Sequence, residues 1–503
     1  MPGLFSSLTA AAYNLQTHSM SVQIAGKNIA NINNPDYARQ RVQVGTIGTQ
    51  SSDVGATTSG AMVALGVEHV RDVFIDRQML SEISYLSSLE AQDFRLRQAL
   101  TNLGDTINRA DDAQFIDDIA QNGGGLRGSI NTFFNAFESL SARPNDPTTR
   151  QVLFQSAEAL VDSFHRIDSR FDLMENELDS QIQVETDNLN RLLSELEEIN
   201  LEVSRLEITK PGSALDLRDL RQKKLEEIAK FAQIEVNEPT DGNGQIELFM
   251  KAGDGSQVQI FGPGQGLQEL YYDSTDQSFK LSGTGEEMDL QAGLLPAVLE
   301  TRTVHVATIR SQLDQMANSI ATEVNEIYYQ AYVPAGADPV VPEISFFQQP
   351  TPPPSAGGTG TVTAASISLY SEPSDASVTD HVPLTATTLR GTATSVTGAN
   401  ELALAIADLA TTKHASLGDV SFSEFSSRMV TELGQDIRNI RNRMEVQEDV
   451  KALLESRRGE ISGVSLDEEV SDMMQYQRAY QATSRVFNVI SEMLENLING
   501  LGR

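Results

Sequence analysis

The 503-residue chain has no cysteine and no tryptophan. The missing thiols exclude disulfides, thiolate metal sites and a cysteine nucleophile. Basic residues are scarce: 37 Lys and Arg stand against 70 Asp and Glu, a formal charge of −33 and a pI of about 4.5. Nucleic-acid phosphates need clustered cations, and an anionic membrane surface attracts them, so neither partner is expected. No apolar run approaches the ~18 residues of a membrane span. The first charged side chain is Lys27, so the basic segment of a secretory signal is missing and export by a cleaved peptide is not expected. Aromatics are only 6% and hydrophobic residues 40%, with mean hydropathy −0.26. That fits a soluble, somewhat elongated protein better than a dense globule. The length allows about three domains.

Catalytic and metal-binding patterns are equally thin. The histidines are His18, His69, His165, His305, His381 and His414, and none stands three or four residues from another as a helical metal pair requires. His18 reads as a packing or polar register residue, the others as surface or satisfied core. Asp241-Gly242-Asn243-Gly244 opens like a calcium loop, but its sixth position is Ile246 where glycine is needed, so a hairpin turn is expected. The glycines from Gly253 to Gly266 carry no phosphate-loop Lys-Ser/Thr, and Gly123-Gly124-Gly125 reads as a joint. Glu468-Glu469, in a first helical turn, reads as a complement to the helix dipole. No catalytic, cofactor-binding or metal residue is assigned.

Periodicity is plentiful. Leu8, Leu15, Val22 and Ile29 are seven apart, interleaved with Leu4, Ala11, His18, Ala25 and Ile32, the spacing of a coiled-coil seam. This helix should stop near Asn33-Asn34-Pro35. At the other end Leu466, Met473, Tyr480, Phe487, Leu494 and Leu501 interleave with Tyr476, Thr483, Ile490 and Leu497. Ala479, Ala482, Val486, Val489 and Met493 widen that face. Ser465 and Glu468 read as a capping box. One copy of either helix covers the other poorly, and isolated helices are marginal, so subunits packing side by side are expected. Interior helices are marked by Leu89–Ile107, by Leu178–Leu206 ending at Pro211-Gly212 with a shorter helix to Phe231, by Ile309–Ile327 and by Val430–Leu454. Around Gln245–Leu248 and Gln257–Ile260 the pattern alternates as in strands. From 333 to about 400 the chain is rich in Thr, Ser, Pro and Gly, with a stiff Pro350–Pro354 linker and short strands expected at Thr361–Thr363 and Ser366–Leu369.

The expected fold is multi-domain and mainly α. A discontinuous terminal coiled-coil layer (1–33 with 465–503) adjoins a long-helix bundle (34–232 with 293–332 and 401–464). Small β-rich inserts occupy 233–292 and 333–400. The two ends are expected to pair, with Leu8, Leu15, Val22, Ile29, Leu466, Met473, Tyr480, Phe487, Ile490, Leu494 and Leu497 as the assembly interface.

Asn28-Ile29-Ala30-Asn31-Ile32-Asn33-Asn34-Pro35-Asp36-Tyr37-Ala38-Arg39-Gln40 resembles the N-terminal signature of bacterial flagellar rod, hook and hook-associated proteins. Ile461–Glu469 and Gln475–Ala482 resemble its C-terminal counterpart. The Ser-Gly-Val-x-Leu-Asp-Glu-Glu form at Ser462–Glu469 is most like the hook–filament junction members, as are Asn145–Gln151, Leu215–Asp219 and Phe346-Phe347. Asp36 departs from the usual glycine, Asn34 from threonine and Ala38 from threonine or serine; aspartate tolerates the left-handed geometry a turn can demand. The resemblance implies a non-enzymatic subunit exported unfolded by the type III apparatus. It would form a ring at the far end of the hook, outside the cell after a transient cytoplasmic stage. Implied partners are further copies of itself, hook protein, the second junction protein and a cytoplasmic export chaperone on the C-terminal helix. Asn28, Asn31, Pro35, Tyr37, Arg39 and Gln40 form the implied signature turn, joining the inner helix to the next layer. A hook or distal-rod protein and a secreted helical adhesin or translocator are the alternatives, and an enzyme the weakest.

Overall fold

A computed structural model describes residues 2–47, 61–104, 125–208, 212–239, 243–328, 345–348, 361–369 and 400–501. Most of these are helical, and the chain is mainly α with small antiparallel sheets. It divides into two compact units: 1–88 with 183–296 and 444–503, and 89–182 with 297–443. The expected long-helix bundle therefore has residues in both. The expected linker at 350–354, the joint at 123–124, His381 and most of the 333–400 insert lie outside the described residues.

The first unit contains both termini. Helix α1 (Pro2–Ala30) is followed by a two-stranded antiparallel ribbon, β1 (Gln40–Ile47) and β2 (Ala61–His69). Polar side chains of α1 complete the outward edge of β2. Met62 N–H donates to Asn14 Oδ1 (2.8 Å) and Ala64 N–H to Thr17 Oγ1 (3.1 Å). An exposed strand edge is a template for unwanted pairing, and here the helix supplies the missing partners.

Helix α2 (Val73–Leu103) begins in this unit. α3 (Gly125–Ala142) lies in the second, and α4 (Pro147–Glu207) has residues in both. α4 starts where its residues dictate: Asp146 Oδ1 accepts from Thr148 N–H (2.9 Å) and proline occupies the first helical position, where its missing N–H costs nothing. α5 (Leu215–Ala229) leads into a six-stranded antiparallel sheet. Its strands are β3 (Glu235–Asn237), β4 (Glu247–Ala252), β5 (Gln257–Phe261), β6 (Leu270–Asp273), β7 (Ser278–Leu281) and β8 (Glu287–Asp289). The order is β3-β4-β8-β7-β6, with β5 also on β4. Strand β4 alternates buried Leu248, Met250 and Ala252 with half-buried residues, the half-buried pattern its sequence carries. Asn243 and Gly244 both have positive φ, turn geometry within the longer connection between β3 and β4, whose pairing closes at Asn237 and Glu247, so the expected hairpin turn is not a two-residue one. Asn200 of α4 brackets Ile246 (2.8 and 3.0 Å) and Asn190 brackets Leu270 (3.0 and 2.7 Å), pinning the sheet to the helix by its backbone.

Within the second unit α6 (Leu294–Glu300), a π-helical stretch (Thr301–Val306) and α7 (Ala307–Tyr328) run without a break; α6 itself starts in the first unit. α8 (Glu401–Asp408) follows, then α9 (Phe422–Ser462), whose residues from Met444 on belong to the first unit. Ser421 and Glu424 form a reciprocal capping box at the start of α9: Ser421 N–H donates to Glu424 (2.9 Å) and Glu424 N–H to Ser421 Oγ (3.3 Å). The core is a ring cluster of Phe133, Phe134, Phe137, Phe346, Phe347 and Phe422. Asn325 accepts from both Phe346 and Phe347 N–H and donates to Phe347 carbonyl (2.9–3.0 Å). The strands expected at Thr361–Thr363 and Ser366–Leu369 do not form. Thr363–Ser366 is a tight turn and Leu369 makes one isolated bridge to Phe347. Asp314 and Asn318 of α7 take the N–H groups of Ala364 and Val362 (2.8 and 3.0 Å), so the segment's hydrogen bonds go to helix side chains. His165 and His414 are satisfied by the carbonyls of Ile367 (2.8 Å) and Leu409 (3.1 Å).

Candidate assembly interface

The chain ends in α10 (Leu466–Leu501), which packs along α1. The two meet at a polar knot. Asn28, the first residue of the signature, is 1% exposed and uses all of its hydrogen-bonding capacity. Its Nδ2 donates to Gln40 carbonyl (2.9 Å) and to Glu469 Oε2 (3.0 Å). Its Oδ1 accepts from Tyr37 O–H (2.7 Å) and Gln40 N–H (3.0 Å). Arg39 donates through Nε to Glu469 Oε1 (2.7 Å) and through Nη1 to Glu468 (3.0 Å), with Asp472 at 3.6 Å. Arg39 N–H also holds Ser462 carbonyl (2.9 Å). Just beyond, Gly463 N–H bonds back to Gly459 carbonyl (2.9 Å). A Cβ on Gly463 would lie 2.2 Å from that oxygen, so only glycine closes α9 so tightly.

Around the knot, Lys27 pairs with Asp216 of α5 (2.6 Å), and Asp216 also accepts from Gln40 Nε2 (3.3 Å). Arg71 bridges Asp76 (3.3 Å) and Asp219 (2.8 Å). Nearby, burial of Glu207 would raise its pKa, but the Arg218 hydrogen bonds and charge, aided by the backbone N–H of Ala214, outweigh it and hold the carboxyl below its usual value. Burial, helped by the charges of Asp219, Asp216 and Glu469, pushes the Tyr37 phenol well above the usual tyrosine value. A group whose proton is held more tightly in the folded state contributes stability below its unfolded value and loses it above. The urea midpoint should therefore fall as pH rises past about 10. Tyr37→Phe should flatten that fall relative to the parent, and an unchanged slope would count against the knot.

Apolar burial along the rest of the pair is thin. Ala11, Ala25 and Leu494 are buried, while Leu8, Leu15, Val22, Ile29, Met473, Phe487, Ile490 and Leu497 are only partly covered. Beside them lies an open stripe: Val486, Val489 and Met493 are 53%, 48% and 54% exposed, and Phe5 and Tyr13 of α1 are also exposed.

Two family profiles match the chain: "Flagellar hook-associated protein FlgK helical domain" over residues 113–338 and "Flagellar basal body rod FlgEFG protein C-terminal" over 457–500. Flagellar hook-associated protein 1 of Bacillus subtilis is 23% identical over 541 aligned positions, covering 100% of this chain and 99% of the relative. The Escherichia coli protein of that name is 22% identical, covering 98% and 99%. Along its whole length the chain is similar to flagellar hook-associated protein 1. It is thus a structural flagellar protein by family. The solved flagellar hook junction protein FlgK from Burkholderia pseudomallei aligns with a TM-score of 0.41 and 16% identity, over 51% of this chain and 44% of that one.

In this chain the signature residues are brought together unevenly. Asn28, Tyr37, Arg39 and Gln40 share the knot, Asn31 Nδ2 closes the end of α1 on Lys27 carbonyl (2.9 Å), and Pro35 is exposed. Leu466 and Tyr480, expected in the seam, are exposed, because α10 turns their row away from α1 at those levels. Asp36 is not left-handed. The turn needs no glycine there, and the Asp36 carboxylate pairs with Lys223 (2.8 Å). Glu468 closes no capping box on Ser465; its carboxylate goes to Arg39. Glu469, read from sequence as a dipole complement, is buried as the knot's acceptor. The signal for it was the single arginine of the N-terminal signature: a lone basic residue in an almost uncharged segment needs a carboxylate when it is partly buried. Among the described residues no group of three His, Asp or Glu could hold a metal ion, and no helix is long and apolar enough to cross a membrane.

Proposed function

We propose that this protein is a structural subunit of the junction between flagellar hook and filament, joined to further copies of itself in a ring through α1 and α10. The open stripe on the paired terminal helices carries this reading. Burying one such side chain is worth about 1.5–3 kcal/mol, so neighbouring copies completing the stripe would supply most of the energy of assembly. Exposed apolar area on this scale marks an interaction surface. The hook-associated names of the full-length relatives support the place of assembly. Hook protein on one side and the second junction protein on the other are the proposed axial neighbours. A cytoplasmic chaperone covering α10 before type III export would keep the stripe from premature association, aided by mutual repulsion at −33. The predominance of long helices between the termini favours the junction over hook or distal rod, and an adhesin would not need apolar stripes at both ends. Deleting the gene should leave hooks on the cell while filament protein is shed into the medium. Filaments that stay attached would overturn the reading.

A further inference from the structure

Helix α10 carries two apolar stripes, and only one can face α1. The covered one holds Tyr476, Thr483, Phe487, Ile490, Leu494 and Leu497; the open one holds Ala482, Val486, Val489 and Met493. They are one residue apart along the helix, so a roll of about 100° exchanges them. Both are apolar; the covered stripe holds the larger side chains, so burial favours the same face as the knot without fixing its azimuth. The knot chooses strongly. Glu469 is seven residues before Tyr476 and in register with Thr483, Ile490 and Leu497, on the covered stripe. Glu468 is in register with Ala482 and Val489, on the open one. Asn28 donates to Glu469 and not to Glu468, whose side chain is largely exposed.

We propose that the Asn28–Glu469 pairing fixes the roll of the C-terminal helix, deciding which stripe is closed within the chain and which is presented to neighbouring copies. A helix is stiff, so a contact at its first turn sets the azimuth of its whole length. A single buried polar pair selects one arrangement among competing apolar ones, as polar residues do in coiled coils. Asn28 and Glu469 are then positioning residues, acting through the face they present. The consequence for assembly rests on the junction reading above, but the device itself belongs to the single chain.

The absence of cysteine gives a clean test on the dilute, monomeric full-length protein. Val489→Cys and Ile490→Cys are introduced singly and their rates of maleimide labelling compared. In the parent the 489 thiol should react faster, and in Asn28→Leu and in Glu469→Leu, where Glu468 is left as the remaining acceptor, the ratio should invert, each rate moving about tenfold as a thiol passes between cover and solvent. Glu469→Gln keeps an acceptor for Asn28 and should keep the parental ratio, as should Glu468→Gln. Helicity by circular dichroism is followed alongside. An unchanged ratio in both leucine variants overturns the proposal, as does rapid labelling at both positions, which would mean the knot holds the helices together without orienting them. Filament shedding in deleted cells is read independently, so failure of one result leaves the other standing.

Discussion

Phe487→Asp together with Leu494→Asp should keep the protein out of the flagellum altogether. Leu494 is 7% exposed and Phe487 partly covered, both on the side of α10 that meets α1. Each substitution removes apolar burial worth about 1.5–3 kcal/mol and asks a carboxylate to enter a poorly solvated seam, which costs more again. The seam has little to spare, since few of its residues are fully buried. Within α10 itself aspartate lowers helix propensity by only about 0.5 kcal/mol per residue, and the cores of both units lie elsewhere, so far-ultraviolet circular dichroism should stay close to that of the parent. Cells carrying the double variant should build hooks, shed filament protein and show none of the variant in purified hooks. Normal filaments from such cells would refute the assignment of this seam.

Asn28→Asp should open the knot at nearly unchanged size and shape. The introduced carboxylate can still accept from Tyr37 and Gln40 N–H, but it cannot donate. Gln40 carbonyl and Glu469 Oε2, at 2.9 and 3.0 Å from the present donor, would each lose a partner in a site with almost no access to water. A second negative charge would also stand against Glu469. Leaving one buried group unsatisfied costs about 1–3 kcal/mol, and an uncompensated buried charge about 3–5. Amide exchange in α1 and α10 should rise by about two to three orders of magnitude at neutral pH, in line with a loss of about 3–4 kcal/mol. The loss should shrink as the pH is lowered and the new carboxyl takes up a proton. Arg39 would keep part of the contact, because its bonds to Glu468 and Glu469 do not pass through Asn28. Exchange in both helices matching the parent would show that the seam alone holds them.

The helices were legible because helix formation is written in local spacing. Leu153, Leu160, Ile167 and Met174 continue the period of Leu178, Leu189 and Leu196, and all are buried in the one 61-residue helix α4. Its upstream half was nevertheless missed from sequence, where the helix was marked only from Leu178; Asn145–Gln151 is the helix entry, with Asp146 and Pro147 as its cap. The strands β4 and β5 were legible for the same reason, their alternation being local. Thr361–Leu369 was misread because its composition suits a strand, while what satisfies its backbone, Asp314 and Asn318, is supplied from a helix some fifty residues earlier.

Sequence by itself determined that this protein is acidic, free of thiols, mainly helical and striped with heptads at both ends, because charge, composition and periodicity are properties of neighbouring residues. Tertiary structure alone decided which stripe of α10 faces inward and that Glu469, not Glu468, meets Asn28. Those two residues are separated by 441 positions, and the choice between adjacent carboxylates depends on where the fold carries each of them, a distance no local pattern encodes.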